Sequence, residues 1–479
     1  MTSATRFRRS EALAAVLSAI GVGILAVAAP VVADDNDIAE IRSEIARLKA
    51  DYEVRIAELE SRLEAAEQQA SRDAVARQTP TSTSGQVTAG NQFNPQVSVV
   101  LDGNYYHDEL GGAGTGILAE ALQPSQPGHG GQEHDHGPAN GINVRRVELA
   151  FITSVDPYFD AAVFLGLESD GNVEIEEAWF ASRALPAGFR LKAGQLLSEI
   201  GYHNVKHEHE WDFTDQNLAY LNLLGEHGLQ VAGVQVTWLP ELPLYTLFGV
   251  ELLQGDQPRL GTLIEDDVER AALGFSEPDS GPRMATLFAQ LSPDLGFNHA
   301  LRLGGSYVHT TQHQEVDIRP SGETGLEGDA DLWLIDIVYK YDSPAAWGHQ
   351  DFQFQAEYLR SEKDLVATNV DPGSLGSRRK YTTDGLYVQG VYGFAPRWQL
   401  GVRYDVLGLV NEAKGAVDVS LDSSDRWTGA LTWTPTEFSR FRMQYSHSDI
   451  LSPNGNREQF ATVWLQFLMT LGAHGAHRF

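Results

Sequence analysis

The chain has 479 residues, no cysteine and a formal net charge of −30 at pH 7. The lack of cysteine excludes disulfide scaffolds, thiolate metal sites and cysteine nucleophiles, and the acidic balance argues against a nucleic-acid-binding protein, which needs a basic surface. After residue 33 no run of about 18 apolar residues predicts a membrane-spanning helix. The strands of a membrane barrel alternate in polarity, so a barrel stays compatible with the mean hydropathy of −0.26.

Residues 1–33 have the pattern of a secretory signal peptide. Three arginines among the first nine residues give a positive start, an apolar stretch follows, and small residues at positions 31–33 offer a cleavage site. An uncleaved membrane anchor is the alternative, which the acidic pair that follows at Asp34 and Asp35 disfavours. Export together with the lack of cysteine indicates the envelope of a Gram-negative bacterium.

Residues 34–78 predict an α-helical coiled coil in the periplasm. The apolar positions repeat at spacings of three and four, which is a heptad seam with one stutter: Ile38, Ile41, Ile45, Leu48, Tyr52, Ile56, Leu59, Leu63 and Ala66. Isoleucine at both kinds of seam position favours three strands and so predicts a homotrimer. A helix packed against its own barrel is the alternative. Residues 79–95 are rich in Thr, Ser and Gly and predict a flexible linker.

Residues 96–479 contain sixteen segments with the alternating polarity of β-strands. They start near Gln96, Asn143, Pro157, Val173, Gly188, Gly228, Pro243, Arg283, Asn298, Asp331, Gln350, Gly385, Trp398, Arg426, Ser439 and Glu458. Each has about the 9–11 residues that cross a bilayer at a tilt. The pattern predicts an all-β fold, a sixteen-stranded antiparallel transmembrane β-barrel, although a soluble sandwich alternates as well.

The connections favour the barrel. Brief proline-bearing turns follow the even-numbered strands, and long connections such as Ser198–His227, Thr310–Ala330 and Ser361–Asp384 follow most of the odd-numbered ones. This alternation of periplasmic turns and extracellular loops is typical of outer-membrane barrels. The final residue, Phe479, is in phase with the apolar residues of the last strand. It is predicted to be the signal that the barrel-insertion machinery reads.

This architecture resembles a known family. A signal peptide, a periplasmic coiled coil, a linker and sixteen strands that end in Phe479 are similar to the phosphate-selective porin (O/P-like) superfamily and related trimeric porins. The His-rich loops and the tail GAHGAHRF resemble a branch often called zinc-regulated, TonB-dependent outer-membrane receptors. The resemblance implies an outer-membrane location and a homotrimer formed through the coiled coil and the barrel. A gated receptor needs about 22 strands and a plug, for which the chain leaves no room.

Sixteen strands leave a water-filled lumen, whose selectivity depends on wall charges and on loops folded inward. The predicted pore-lining residues are Arg146, Glu148, Arg190, Lys192, Arg302, Lys340, Glu357, Arg403, Asp405, Arg440 and Arg442. The acidic loop after the fifth strand is the predicted constriction loop, with Glu199, Glu208, Glu210, Asp212 and Asp215. An acidic loop opposite a basic wall predicts a transverse field, and mutual salt bridging is the plainer alternative. Seven lysines are few for a phosphate pore, so weak cation preference is favoured.

Two histidine clusters form the predicted metal sites. The first loop carries His129, His134 and His136, and the third carries His203, His207 and His209, each cluster beside carboxylates. Imidazole and carboxylate bind Zn²⁺ and similar ions near neutral pH. The spacing is of low specificity, and a polar loop with incidental histidines is the alternative. No cofactor is required, and loosely bound zinc or another divalent metal is the expectation.

The leading function is therefore an outer-membrane porin for passive diffusion of small hydrophilic solutes or ions, with external loops that concentrate a divalent metal. A TonB-dependent metal receptor is the alternative, and an anion- or phosphate-selective porin is the next. A barrel enzyme is disfavoured because His309 and His447 pair with no nucleophile by spacing. A structural tether, with the coiled coil as its working part, is a further reading. The expected partners are outer-membrane lipid, the insertion machinery and further copies of the chain, with no nucleic acid and no enzymatic activity.

Overall fold

The computed structural model describes residues 95–121, 126–127, 137–168, 171–262, 267–319, 322–369, 375–415, 418–451 and 456–472. The predicted signal peptide and coiled coil, nearly all of the linker, the three first-loop histidines His129, His134 and His136, and Phe479 lie outside these residues. The fold described below is that of the C-terminal unit of the chain.

Sixteen long antiparallel strands close into a barrel. They are β1 (Gln96–Asp108), β2 (Gly141–Ser154), β3 (Phe159–Glu168), β4 (Val173–Ser182), β5 (Phe189–Leu197), β6 (Gln230–Trp238), β7 (Tyr245–Leu253), β8 (Met284–Ser292), β9 (His299–Arg319), β10 (Gly322–Tyr341), β11 (Phe352–Ala367), β12 (Arg378–Ala395), β13 (Trp398–Lys414), β14 (Ser424–Thr436), β15 (Ser439–Leu451) and β16 (Arg457–Gly472). Each pairs with its neighbours in sequence, and β1 pairs with β16. Two-residue strands at Gln126–Pro127 and Val419–Ser420 join the same sheet. The predicted sixteen-stranded all-β barrel is confirmed.

The two faces of each strand differ as the alternation predicts. On β10, Trp333 and Ile335 are 41% and 62% exposed on the outside, whereas Leu334 and Asp336 between and after them are buried on the inside. Successive side chains of a strand point to opposite faces, so one sequence builds an apolar skin and a polar interior at once.

Aromatic side chains follow the outer face near the short-turn end. Trp398 on β13 stacks on Trp433 of β14 at 5.7 Å between ring centroids, Trp433 on Phe441 of β15 at 5.4 Å, and Phe441 lies 4.9 Å from Phe467 of β16. Such a girdle flanks the apolar band of outer-membrane barrels, because amphipathic rings prefer the headgroup region.

The prediction of long loops after the ninth, eleventh and thirteenth strands is partly wrong. The predicted loop Thr310–Ala330 is mostly strand, since β9 continues to Arg319 and β10 begins at Gly322. In the same way β11 reaches Ala367 and β13 reaches Lys414. The alternation predicts that each strand ends at the last apolar residue of its outer face. Backbone pairing needs no apolar outer face once the strands leave the bilayer, and so the strands continue.

The described parts of the long connections contain three short α-helices, α1 (Gly114–Ala119), α2 (Leu218–Leu223) and α3 (Asp267–Leu273). None of the helices in the described ranges has both the length and the apolar character that crossing a membrane requires. α2 packs inside the barrel against β11, β12 and β13. Its buried Leu218 and Tyr220 join wall residues such as Leu359 and Leu407 in one apolar cluster. Part of the lumen is therefore filled by a small hydrophobic core.

Candidate functional site

The connection between β5 and β6, residues 198–229, is called the third loop, and it lies within the lumen. It contacts strands around most of the barrel: Glu208 pairs with Arg145 of β2 at 2.9 Å, and the Ser198 hydroxyl donates to Glu251 of β7. On the far side, Asp215 pairs with Arg403 of β13 at 2.8 Å. A segment that reaches opposite walls of a barrel narrows its lumen.

Local hydrogen bonds shape the third loop before it meets the wall. Asn217 begins α2, because its side-chain oxygen accepts from the Tyr220 N–H at 2.9 Å, which is an N-cap. Upstream, Glu210 ends a turn of 3₁₀ helix, and its carboxylate accepts from the His207 N–H at 3.2 Å. The loop thus contains two short turns, each held by a local side-chain hydrogen bond.

The carboxylate of Glu357 on β11 binds the start of the third loop by hydrogen bonds. It is 1% exposed and accepts from the backbone N–H groups of Tyr202 at 3.2 Å and His203 at 2.9 Å. The hydroxyl groups of Tyr220 and Tyr387 donate to it at 2.7 and 2.5 Å. A buried carboxylate with several donors is stable and positions them, so Glu357 sets where the loop enters the lumen.

The middle of the third loop is held by arginines. Asp215 accepts from Arg403 at 2.8 Å and from Arg426 at 2.7 Å, and both guanidinium groups also contact the buried Asp405 at 3.1 Å. Burial alone raises the pKa of Asp215, but Arg426 and Arg403 outweigh it and lower the pKa to about 2. Asp405 in addition accepts from the Leu218 N–H at 3.1 Å, which ties α2 to the same pair of strands.

The opposite side of the third loop is held by imidazoles and carboxylates. His207 Nδ1 lies 2.7 Å from Glu176 and its Nε2 lies 3.1 Å from Glu177, while His209 Nδ1 lies 3.0 Å from Glu148. Burial lowers the pKa of His207, but the hydrogen bonds to Glu176 and Glu177 prevail and raise it well above its usual value. The two rings stack at 5.8 Å between centroids.

A β-bulge in β4 directs the carboxylates toward His207. Phe164 of β3 pairs with Glu177 and Leu165 with Ile175, so Glu176 is the extra residue. A bulge adds one residue to a strand and re-aims the side chains beside it. Both Glu176 and Glu177 are consequently buried on the lumenal side, against strict alternation.

His203 lies apart from the His207 and His209 pair. Its Nε2 bonds to the side-chain oxygen of Gln216, and its ring stacks on Trp211 at 5.1 Å between centroids. Burial lowers the pKa of His203, nearby Lys206 adds to this, and the result is about 3. The third-loop histidines predicted as one metal cluster therefore occupy two different environments, and metal binding by any of them stays a prediction.

The predicted pore-lining residues all lie on the described strands. Arg146, Glu148, Lys192, Arg302, Glu357, Arg403, Asp405 and Arg442 are buried on the inner side, and Arg190, Lys340 and Arg440 are half-buried. Many of them contact the third loop. Arg302 donates to the Gly201 carbonyl at 2.6 Å, and Arg442 donates to the Trp211 carbonyl at 2.9 Å. Their role in lining a conducting pore stays a prediction.

The predicted constriction residues are half-buried and contact the wall or their own loop. Glu199 donates its backbone N–H to Glu251 at 3.0 Å, and Asp212 accepts from Gln353 and Gln389 at 2.8 Å each. Glu208 pairs with Arg145 at 2.9 Å. Burial raises the pKa of Glu208, but Arg145 and Arg146 reverse this and lower it to about 2. The acidic loop and the basic wall are thus largely paired to each other.

A cavity of about 1230 Å³ lies at the long-loop end, between the third loop and its neighbours. Seven carboxylates line it, against four guanidinium groups. The acidic residues are Glu120, Glu168, Glu174, Glu208, Asp215, Glu226 and Asp256, and the basic ones are Arg145, Arg146, Arg259 and Arg426. An acidic excess in a concave surface raises the local concentration of cations.

Sequence reasoning missed several residues of the site. The alternation predicts Arg426 only as the start of a strand, although its inward phase with the following threonines also indicates a lumenal position. The inward positions of both Glu176 and Glu177 were not predicted, because the bulge interrupts the alternation on which the prediction depends. Glu251 on β7 was missed as a lone inward carboxylate, and His227 because it stands outside the histidine clusters.

Comparisons with known proteins agree with this architecture. The family model described as phosphate-selective porin O and P matches residues 298–461. An uncharacterized protein of Aquifex aeolicus (strain VF5) is 32% identical over 403 residues, which cover 81% of this chain and 80% of that protein.

Solved structures of membrane barrels are also similar. The outer membrane channel DcaP of Acinetobacter baumannii is 13% identical, with 79% of this chain and 96% of that chain covered and a TM-score of 0.46. The anion-selective porin from Comamonas acidovorans is 8% identical, with 78% and 98% covered and a TM-score of 0.45. The family match, the relative and the closed sixteen-stranded barrel lead to one conclusion: the chain belongs to the family of phosphate-selective porins O and P.

Proposed function

We propose that the chain is an outer-membrane channel for passive diffusion of small hydrophilic solutes and ions, without enzymatic activity. The observation that carries the proposal is the third loop inside a closed sixteen-stranded barrel, fastened to opposite walls by Glu357 and by the arginines at Asp215. Barrels of this size enclose an aqueous lumen, and a fixed inward loop gives such a lumen a defined narrow section.

We propose weak cation preference for this channel. The wall arginines Arg403 and Arg426 are neutralised by Asp215 and Asp405, so they contribute little free positive charge. The cavity at the long-loop end carries an excess of carboxylates, which favours entry of cations.

Anion selectivity is the second candidate, and one cluster favours it. The ring of Tyr202 has the Lys206 ammonium 4.0 Å, the Arg302 guanidinium 5.0 Å and the Lys340 ammonium 5.6 Å from its centroid. Three cations around one lumenal ring form a positive region that a passing anion could use. The sign of the reversal potential in a salt gradient separates the two candidates.

The receptor alternative loses support from the strand number. TonB-dependent transporters have 22 strands around a plugged lumen, whereas sixteen long strands close this barrel. Capture of zinc or another divalent metal by the external residues His129, His134 and His136 remains part of the proposal, as do trimer formation through residues 34–78 and recognition of Phe479 by the insertion machinery.

Purified full-length protein in planar bilayers tests the proposal. We expect stepwise ion conductance and, in a tenfold potassium chloride gradient, a reversal potential of the sign given by cation preference. If the protein is shown to be inserted in the bilayer and no ionic current flows, the channel proposal is refuted. A strongly anionic reversal potential would instead support the Tyr202 cluster as the selective element.

A further inference from the structure

We infer that Glu148, Glu176 and His207 form a binding site for one divalent transition-metal ion inside the lumen, with His209 as a fourth ligand. The inference rests on the proposed channel only in that the ion reaches the site through the lumen. It differs from capture at the external first-loop histidines, because the ligands come from β2, β4 and the third loop.

The distances between donor atoms fit such an ion. One ligand atom from each of Glu148, Glu176 and His207 lies within 4.8 Å of the others. His207 Nδ1 is 2.7 Å from Glu176 Oε2 and 3.6 Å from Glu148 Oε2, and His209 Nδ1 is 3.0 Å from that same Glu148 oxygen. A tetrahedral Zn²⁺ with ligands at about 2.0–2.2 Å has donors roughly 3.3 Å apart. The measured separations bracket that value, so small side-chain rotations complete the site.

The chemistry of the donors selects the class of ion. Two imidazoles and two carboxylates are the ligands of Zn²⁺, Ni²⁺ and Cu²⁺, whereas Ca²⁺ takes six to eight oxygens. The neighbouring charges leave these donors available: Lys192 pairs with Glu177 at 3.1 Å, and Arg146 lies 3.2 Å from the other oxygen of Glu176. The Oε2 atoms of Glu148 and Glu176 therefore face the two imidazoles, where one ion can contact all four side chains.

Two further features indicate a built site. Glu176 occupies the bulged position of β4, and bulges commonly re-aim a side chain next to a functional site. Glu176 is 6% exposed, and its Oε1 lies 3.2 Å from the Arg146 Nε. Arg146 therefore occupies Oε1, and Oε2 is the oxygen that faces His207 and the proposed ion.

An ion at this position would join the third loop to β2 and β4. His207 and His209 belong to the loop, and the carboxylates belong to the wall, so the metal would act as a cross-link at the side of the loop opposite Asp215. It would also add positive charge to the narrow section. Both effects predict a lower cation conductance when the metal is bound.

Titration of the full-length protein with zinc chloride tests the site. To remove the external cluster, the measurements use a background in which His129, His134 and His136 are replaced by alanine. We expect this background to bind one Zn²⁺ per chain. The double variant His207→Gln with His209→Gln should lower the affinity for zinc about tenfold or more, because even changes to the hydrogen-bond partners of metal ligands lower it that much. Equal zinc binding by both proteins would overturn the proposal.

Glu148→Gln and His203→Gln complete the experiment. Glu148→Gln keeps the shape of the wall and should weaken zinc binding in the same way, which covers the case in which the double variant fails to fold. His203→Gln changes the same residue type in the same loop, away from the cluster, and should bind zinc like the background. Zinc binding lost in His203→Gln and kept in Glu148→Gln would contradict the assignment. Silent bilayers without zinc would refute the channel alone, because stoichiometry is measured independently of conductance.

Discussion

The outer and inner faces of the same strands have opposite environments one residue apart. On β13, Leu400 and Val402 are 52% and 49% exposed outside, whereas Arg403 and Asp405 inside are 2% and 0% exposed. The outer side chains need only to be apolar, but Arg403 and Asp405 have specific partners in the third loop and the wall. Changes inside should therefore alter conduction, and changes outside should alter stability alone.

The largest effect is expected from Asp215→Asn. The substitution leaves the buried Arg403 and Arg426 with Asp405 as their remaining carboxylate, and breaking a buried ion pair costs about 3–5 kcal/mol. The loop should leave the wall, so single-channel conductance rises and the reversal potential shifts toward anions. Recordings in planar bilayers measure both quantities.

Asp422→Asn is the matched control for Asp215→Asn. It removes one negative charge from an exposed residue between β13 and β14, where charge is screened by salt. Conductance and selectivity close to those of the unmodified protein are expected. A similar shift in both variants would mean that overall charge, and not the inner network, sets selectivity.

Acidification should release the third loop through His203. When the third loop is docked in the lumen, burial lowers the pKa of His203 to about 3. When the loop is released, the pKa of His203 returns toward its usual 6.5. The released loop binds more protons between these values, so docking weakens as pH falls from 6.5, by about a factor of ten per pH unit. Conductance recorded from pH 7 to pH 4 should therefore rise.

Other groups of the third loop contribute mainly outside the range between pH 6.5 and about 5; the pKa of Glu208 is lowered to about 2, so its contribution is lost only as pH falls from about 4.5. The pKa of His207 is raised, so its contribution is complete below 6.5 and is lost only as pH rises. The pKa of Asp215 is lowered to about 2, so its contribution is lost only as pH falls from about 3.8 toward that value. The conductance of His203→Gln should not change between pH 6.5 and about 5. If the variant keeps the pH dependence of the unmodified protein in this range, the assignment to His203 is contradicted.

Gly201→Ala should loosen the entry of the loop. Gly201 has φ +62°, and an added Cβ would lie 2.4 Å from both Glu357 Oε2 and the Tyr220 hydroxyl. Strain of this kind costs about 1–3 kcal/mol, so conductance should rise less than in Asp215→Asn. Gly225→Ala is the control, because Gly225 has φ +87° in the same loop and its nearest atom is 3.8 Å away. If both variants conduct equally, the positive φ at the two glycines, and not the crowding at Gly201, determines the change in conductance.

The sequence determines the outer face far better than the inner one. Alternation located all sixteen strands, because a lipid-facing position such as Val402 requires only an apolar side chain. Inner partners depend on how the third loop folds: Asp215 and Arg403 are 188 residues apart and meet only in the closed barrel. The bulge at Glu176 breaks the alternation, and the separation of His203 from His207 follows from loop packing that spacing does not encode.

The smallest effect on conduction is expected from Trp433→Ala on the outer face. Trp433 is 38% exposed and stacks on Trp398 and Phe441, and each aromatic pair is worth about 0.5–1.5 kcal/mol. The variant should unfold at a lower temperature, measured by loss of β-sheet circular dichroism, and should conduct as before. Thr432→Val, one residue away on the inner face, removes the hydroxyl that accepts from Arg442 at 3.1 Å. Because Arg442 also holds the Trp211 carbonyl of the third loop, this change should shift selectivity slightly. Altered conductance in Trp433→Ala with none in Thr432→Val would break the division between the two faces.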